Sequence, residues 1–341
     1  MNKRSKNVLI VGSGRMGIRH AQGAIRLSSV NSVTLTDISR ESLEVAKKEL
    51  ETDIHFNKLS FALFKQINYV DFYDVAIIAT TATDRLEICK ELVQMKIKNI
   101  LVEKPLGQNL EEIIQLSNYI KDQDCKAYVN LNMRLDPDFY KVKNDLMNLS
   151  QFEGELTVTV NSGAIGIGAN GIHYLDYLIY LFEADDIKII NSFIDFDKVS
   201  SARGPNFFDF GGWILFECYK MGNKVATCFL SLSSKSSVFG GFDIVGPNGR
   251  ITINQSFSKR VDILRKEDSE MPVYRYHADY LPARELNLES VSLSDLTAKW
   301  LESLFITKSN LPTIEESVLA HKLMFAWLDN QHLKNAKHPI T

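Results

Sequence analysis

The stretch NVLIVGSGRMGIRH, residues 7–20, determines how the chain begins to fold. Its apolar run from Val8 to Val11 is typical of a strand that is buried on both faces. Gly12, Gly14 and Gly17 follow in the spacing GxGxxG, and a helical pattern of apolar residues continues beyond them. A strand, a glycine loop and a helix in this order predict a turn that receives a dinucleotide pyrophosphate at the helix N-terminus.

A second strand in SVTLTDISR, residues 32–40, ends in Asp37, which lies 20 residues after Gly17. A carboxylate at about this distance is expected to bind the ribose hydroxyls of NAD and to repel the 2′-phosphate of NADP. Arg40 keeps NADP open as the less favoured cofactor, because an arginine can pair with that phosphate. Asp37 could instead be an ordinary turn residue, and Ser39 is a candidate cap for the next helix.

Strands and helices keep alternating as far as residue 132, with buried strands predicted in DVAIIAT, KNILVEKPL and KAYVNLNM. This order predicts an α/β Rossmann domain with a doubly wound parallel sheet over residues 1–127. Ligands of such sheets lie beyond the carboxyl ends of the strands. We therefore expect the cofactor to contact Gly12, Ser13, Gly14, Arg15, Met16, Gly17, Asp37, Arg40, Thr80, Thr81, Glu103 and Lys104.

The bulk composition excludes several classes of protein. With 39 basic and 42 acidic residues the formal net charge is -3, so nothing predicts binding to nucleic acid or to a membrane surface. No segment approaches the roughly 18 apolar residues of a transmembrane helix. The four cysteines show no CxxC pair or metal-ligand spacing, which predicts no metal site and fits a reducing compartment. We expect a cytoplasmic protein.

The segment VEKPLG, residues 102–107, resembles the EKP signature of the Gfo/Idh/MocA family, the relatives of glucose–fructose oxidoreductase and inositol dehydrogenase. The resemblance extends to IIATTATDRLEI, NLNMRLDP, FDIVGPNGRITI and LPTIEESVLAHKLMFA, with Arg85 where the family has a histidine. It implies an NAD-dependent oxidoreductase whose EKP lysine, here Lys104, lies beside the nicotinamide. It also implies that the bond before Pro105 is commonly cis.

The same resemblance gives a role to His173. Gly171, His173 and Asp176 match the family's GxHxxD, in which the histidine binds the hydroxyl group that is oxidised. The family has an aspartate four residues before this histidine, but Ala169 occupies that position here, and Asn170 replaces a carboxylate only in part. The proton relay that the resemblance implies therefore lacks its aspartate at this position. A histidine beside an apolar helix could also be a packing residue.

We predict that His173 is the main acid or base and that Lys104 orients and polarises the hydroxyl, although the reverse assignment is also consistent with the sequence. The predicted substrate contacts are Asn132, Arg134, Asn170 and Asp176. Asp176 could instead cap or orient His173, and Asn132 and Arg134 could be ordinary loop residues. His20, in the first helix, is interpreted as structural.

From about residue 151 the apolar residues alternate with a period of two, which predicts strands joined by short turns. We expect residues 128–341 to form an α+β substrate-binding and oligomerisation domain with an open, mostly antiparallel sheet. The resemblance implies a homodimer or homotetramer through this sheet. The irregular segment YRYHADYLPARELN, residues 274–287, is a candidate subunit contact. The last helices are expected to pack back on the first domain.

The leading hypothesis is an NAD-dependent oxidoreductase for a secondary alcohol of a sugar, cyclitol or nucleotide sugar. Two alternatives remain open. Ala169 favours a protein that binds NAD and a ligand without turnover, as a regulator does. The second alternative is a redox-neutral epimerase or lyase that holds NAD tightly.

Overall fold

The computed structural model describes residues 5–67, 72–163, 166–200, 204, 206–236, 238, 240–266, 280–289, 291–306, 309–329 and 338–340, with only the backbone of residue 196. Residues 274–279 of the predicted contact segment 274–287, including His277, lie outside these residues. The chain forms two compact units. The first contains Met1–Leu135, Val291–His321 and Lys337–Thr341, and the second contains Asp136–Ser290 and Lys322–Ala336.

The first unit is built on a parallel sheet of six strands in the order β3-β2-β1-β4-β5-β6. Its strands are β1 Lys6–Val11, β2 Val30–Asp37, β3 Leu59–Leu63, β4 Val75–Ile78, β5 Asn99–Val102 and β6 Lys126–Val129. The helices are α1 Arg15–Ile25, α2 Arg40–Leu50, α3 Arg85–Gln94, α4 Leu110–Lys121, α7 Leu293–Ile306 and the first half of α8 Ile314–Leu328. The order reverses between β1 and β4, which is the switch point where such sheets bind ligands.

This sheet forms because its central strands are apolar on both faces and helices cover them. Val8, Leu9 and Ile10 of β1 are completely buried. Helix α1 packs against α7, whose Trp300 is also completely buried in the same core. Ser39 caps α2 as predicted, its hydroxyl accepting the N–H of Ser42 at 3.2 Å.

The second unit is built on an open sheet of eight strands in the order β14-β13-β12-β11-β7-β10-β9-β8. The strands are β7 Leu156–Gly163, β8 Asp186–Ser200, β9 Phe208–Lys220, β10 Asn223–Ser233, β11 Gly241–Val245, β12 Gly249–Asn254, β13 Lys259–Leu264 and β14 Arg284–Asn287. Its helices include α5 Pro137–Asn148 and α6 Ile172–Phe182. A π-helical turn over Ile167–Gly171 leads directly into α6.

The predicted fold class is confirmed: a doubly wound parallel sheet accompanies an open, mostly antiparallel sheet with helices. Strands β3, β13 and β14 were not among the predicted strands. Neighbouring pairs in the second sheet are antiparallel except β7 with β10, which are parallel with Leu156 opposite Ala226. Among the helices of the described residues, none has the length and apolarity needed to span a bilayer.

Candidate functional site

The glycine loop after β1 is shaped for close backbone approach. Gly12 has φ +104°, and a Cβ there would lie 2.8 Å from the carbonyl carbon of Ala79. A Cβ on Gly17 would lie 1.9 Å from the carbonyl oxygen of Gly12, so α1 can approach the loop only because residue 17 is glycine. At Gly14, by contrast, a Cβ would meet nothing within 4 Å. The backbone of Gly14 therefore faces open space.

That open space lies at the N-terminus of α1. Gly14 is the N-cap residue, and it offers no side chain to the N–H groups of the first turn, which also carries no acidic residue. Free N–H groups and the positive end of the helix dipole favour an anion at this position. Arg15 is exposed and Met16 half-exposed beside it. The loop thus fits the pyrophosphate of a dinucleotide.

Asp37, at the end of β2, is tied to this loop. One of its carboxylate oxygens accepts the backbone N–H of Ser13 at 2.8 Å and its hydroxyl at 2.9 Å. The other oxygen accepts the N–H of Ser39 at 2.9 Å. The structure therefore brings Asp37 to the glycine loop, and the carboxylate remains half-exposed. Arg40 is exposed at the first position of α2.

Arg85 joins the two neighbouring strand ends that carry other predicted contacts. The buried guanidinium donates to the carbonyl oxygens of Thr80 at 2.8 Å and Thr81 at 3.1 Å, which follow β4. It also donates to the carbonyls of Glu103 and Pro105, which follow β5. Those two carbonyls lie on either side of Lys104 in the chain. Arg85 thus connects the Thr80–Thr81 segment to the segment that presents the lysine.

Glu103 is buried and does not face solvent. Its Oε1 lies 2.9 Å from Nε2 of His20 and accepts a hydrogen bond from the amide of Asn130 at 2.6 Å. Burial alone would raise the pKa of Glu103. The hydrogen bond and charge of His20, with the charge of Lys104 and the Asn130 hydrogen bond, instead hold this pKa well below its ordinary value. The carboxylate is therefore ionised.

Both ring nitrogens of His20 have partners inside the first unit. Nδ1 lies 2.8 Å from the hydroxyl of Thr297, which itself donates to the carbonyl of Leu293 at 2.8 Å, and Nε2 lies 2.9 Å from Glu103. The ring is completely buried, so these contacts support the interpretation of His20 as structural.

Lys104 itself is half-exposed, and the Lys104–Pro105 bond is cis, as the family resemblance implies. The residue after the proline is held by α8. The N–H of Leu106 donates to Nε2 of His321 at 3.2 Å, and Nδ1 of His321 lies 2.9 Å from the carbonyl of Ser317. These bonds require the neutral ring with its proton on Nδ1. Burial accordingly lowers the pKa of His321 to about 4.

Asn132 and Arg134 lie together in a short 3₁₀ turn after β6, Asn132 half-exposed and Arg134 buried. The other predicted site residues belong to the second unit. His173 is the second residue of α6 and is half-exposed, whereas Asp176 is buried one turn later. Asn170 is half-exposed in the π-helical turn before α6.

The predicted residues therefore fall into two groups. One surrounds the carboxyl ends of the first sheet, where the structure connects Ser13 with Asp37 and, through Arg85, Thr80 and Thr81 with Glu103. The other group is Asn170, His173 and Asp176. Ala169 lies among them with its N–H donated to the buried Asp209 of β9 at 2.7 Å. Their roles in binding and catalysis stay predictions.

Some supporting residues had weak sequence signals. Arg85 stood out as the departure from the family's histidine, but its bonds to four carbonyl groups depend on loops that only the fold brings together. Asp209 and His321 lie in the apolar segments FFDFGGW and LAHKLMFA, where nothing in the spacing marks them.

Comparison with known proteins agrees with this arrangement. Residues 6–131 match the family model GFO_IDH_MocA, the oxidoreductase family with an NAD-binding Rossmann fold. Residues 6–131 are thus similar to the nucleotide-binding part of the Gfo/Idh/MocA family. Myo-inositol 2-dehydrogenase from Thermotoga maritima is 23% identical over 139 residues, covering 41% of this chain. The match spans only 40% of that relative's own length.

Solved structures match over nearly the whole chain. An oxidoreductase from Agrobacterium radiobacter in complex with NAD⁺, L-tartaric acid and magnesium has a TM-score of 0.72 at 13% identity, with 96% of this chain and 97% of that chain covered. The transcriptional regulator Gal80p from Kluyveromyces lactis has a TM-score of 0.71 at 14% identity, with coverage of 96% and 92%. At such identities these likenesses show the fold alone.

Proposed function

We propose that the protein is an NAD-dependent oxidoreductase that moves a hydride between nicotinamide and a secondary alcohol of a sugar, cyclitol or nucleotide sugar. The observation that carries the proposal is the open backbone of Gly14 at the start of α1, with Asp37 hydrogen-bonded to the same loop. The family match of residues 6–131 and the inositol dehydrogenase relative support the reaction class.

Asp37 supports NAD as the preferred cofactor. Its half-exposed carboxylate can accept hydrogen bonds from ribose hydroxyl groups, and its negative charge would repel a 2′-phosphate. Arg40, three residues later, is the feature that keeps NADP as the weaker alternative.

Bound NAD supplies the hydride acceptor, and the residues of the chain supply orientation and proton transfer. His173 takes the proton of the substrate hydroxyl, while the ammonium of Lys104 orients that hydroxyl and polarises the carbonyl that forms. Arg85 supports this role by fixing the carbonyl groups on both sides of Lys104. Asn132, Arg134, Asn170 and Asp176 are proposed to bind the substrate.

The second sheet supports a homo-oligomer. Phe193, Trp213 and Phe229 form a row of aromatic rings across β8, β9 and β10, with ring centroids 6.4 and 6.0 Å apart. Phe193 is 40% exposed, and Trp213 and Phe229 are half-buried. A partly exposed aromatic row of this kind is typical of a protein–protein interface. We propose that two copies meet through this row.

A second candidate is a protein that binds NAD and a ligand without turnover. Ala169 favours it, because this position lacks the carboxylate that the family places before its histidine. The likeness to the fold of Gal80p agrees with a regulatory role. Retention of both Lys104 and His173 counts against it.

Replacement of Lys104 tests the proposed mechanism. Lys104→Met should abolish turnover while the dissociation constant for NAD stays within about threefold of wild type. Lys98→Met is the matched control, because this exposed lysine lies just before β5, at the other end of the same strand, paired with Asp124. Full turnover by Lys104→Met would refute the mechanism, and equal losses in both variants would mean that the effect is not specific to the site.

A further inference from the structure

Asp209 supports the turn that leads to His173 from outside the helix. Asp209 is 4% exposed, and its carboxylate accepts the backbone N–H groups of Gly168 at 3.1 Å and Ala169 at 2.7 Å. It also accepts the N–H of Phe210 at 2.8 Å. Gly168 and Ala169 are in the first turn of the helical run that continues into α6. The N–H groups of a first turn have no acceptors within their own helix. The carboxylate of Asp209 is the acceptor for two of them.

Gly166 is shaped around the same carboxylate. A Cβ at position 166 would lie 2.2 Å from both Cγ and Oδ2 of Asp209. The backbone of Gly166 is extended, with φ −100°, so its conformation does not require glycine. Residue 166 is therefore small because the carboxylate of Asp209 occupies the adjacent space. This is a second observation, independent of the hydrogen bonds, that the turn is built on Asp209.

We propose that Asp209 is a positioning residue for His173: it supplies from β9 the carboxylate that residue 169 lacks. This inference rests on the proposed function. The Asp209 carboxylate contacts the backbone of residue 169 itself, at the position where the resembled family carries an aspartate side chain. The protein thus keeps a negative charge at this turn while the side chain of residue 169 is only a methyl group.

The charge has a physical consequence for His173. This residue is four positions after Ala169, about 6 Å further along the helix axis. A proton taken from the substrate gives His173 a positive charge in the first turn of α6, where the helix dipole opposes it. A buried carboxylate at the start of the same helical run offsets that effect, because charges attract strongly where water is excluded. Asp209 also fixes the backbone from which His173 projects.

Two variants disturb this arrangement in different ways. Asp209→Asn keeps the size of the side chain and one acceptor oxygen but removes the charge. Gly166→Ala keeps every charge but forces the carboxylate away. Asp243→Asn is the control, because it removes a carboxylate of the same unit that pairs with Arg250 at 2.6 Å near the surface.

The first measurement is hydrogen–deuterium exchange of residues 166–175 in the intact protein, which needs no substrate. Asp209→Asn and Gly166→Ala should both exchange faster in this segment than wild type and Asp243→Asn. Unchanged exchange in both variants would overturn the proposal. If wild type turns over no substrate at all, the proposed function fails, and exchange alone then decides whether Asp209 supports the turn.

The second measurement separates positioning from mere stability. It is the steady-state turnover of a nucleotide sugar or cyclitol that wild type oxidises with NAD. In both variants kcat should fall about 10- to 100-fold, while KM changes by less than about threefold. Asp209→Asn combined with Ala169→Asp should regain part of the lost kcat, because the charge returns on residue 169. A folded Asp209→Asn protein with wild-type kcat would contradict the proposal, as would a double variant no better than the single one.

Discussion

The carboxylate of Asp37 accepts two hydrogen bonds from Ser13 through one oxygen, at 2.8 and 2.9 Å, and so joins the end of β2 to the glycine loop. A third bond, from the N–H of Ser39, occupies the other oxygen. A carboxylate offers roughly four acceptor positions, so this half-exposed group retains capacity for a ribose hydroxyl. Asp37 therefore stabilises the loop through its internal bonds and keeps acceptor positions for the proposed contact with the cofactor.

Removing this carboxylate should change cofactor choice. In Asp37→Ala we expect NAD to bind about tenfold more weakly, since hydrogen bonds worth about 1–2 kcal/mol are lost, and the preference over NADP to shrink. Titration calorimetry with both cofactors measures this. Ser13→Ala, which keeps the backbone N–H bond to Asp37, should stay within about threefold of wild type. An unchanged preference for NAD in Asp37→Ala would reject the assigned role.

Arg85 should be essential for the stability of the first unit. Arg85→Lys leaves several of the four carbonyl groups, two of them on the buried residues Glu103 and Pro105, without a donor, and we expect the free energy of unfolding to fall by about 2–4 kcal/mol. Urea denaturation followed by circular dichroism measures the change. Arg26→Lys is the matched control, because Arg26 is half-exposed and its pair with Asp295 contributes little. Equal effects of the two substitutions would contradict the account.

His321 should make stability depend on pH. Burial lowers its pKa in the folded protein to about 4, below the value of about 6.5 expected when unfolded. The neutral ring therefore contributes stability that is fully present above about pH 6.5 and is lost as the pH falls toward 4. This loss amounts to about 3 kcal/mol. Urea midpoints between pH 7 and 4.5 should fall less steeply in His321→Gln than in wild type.

Two comparisons isolate this effect. The pKa of Glu103 lies below its ordinary value of 4.5, so the stability that Glu103 contributes is lost only below about pH 4.5. Between about pH 4.5 and 6.5 the loss of stability is therefore assigned to His321. His55→Gln, at a half-exposed histidine of the same unit, should keep the wild-type slope. An equally steep slope in His321→Gln would show that another group is responsible.

The aromatic row of the second sheet predicts the effect of a surface charge on assembly. Trp213→Glu should convert the oligomer to monomer in light scattering after gel filtration, because a desolvated carboxylate opposes burial of the row. Ile54→Glu places the same charge on an 89% exposed residue of the first unit and should leave the mass unchanged. A wild-type monomer, or a Trp213→Glu protein of unchanged mass, would reject the proposed interface.

The parallel sheet of the first unit and its glycine loop were predicted well, because the sequence patterns that indicate them lie within short segments. Gly12, Gly14 and Gly17 act within one strand–turn–helix segment, and Asp37 follows at a fixed distance along the chain. The long alternating strands of the second sheet were predicted for the same reason. Strand β3 has no completely buried side chain, and its Ser60 is exposed, so it lacks the buried apolar run that identified its neighbours.

Contacts between distant segments could not be predicted. The bond between Asp209 and Ala169 joins residues 40 positions apart, and that between His321 and Leu106 spans 215 positions. No period or spacing in the chain indicates such pairs. The sequence also showed that residue 169 lacks a carboxylate, but only the fold shows that a carboxylate from β9 contacts this residue.

The most direct test of the central claim is a turnover assay of the wild-type protein at 340 nm. The panel should hold free sugars, cyclitols including myo-inositol, and nucleotide sugars, each with NAD and with NADP. We predict that at least one substrate is oxidised and that kcat/KM is higher with NAD. NAD binding in calorimetry without turnover of any substrate would contradict the claim and favour the regulatory protein instead.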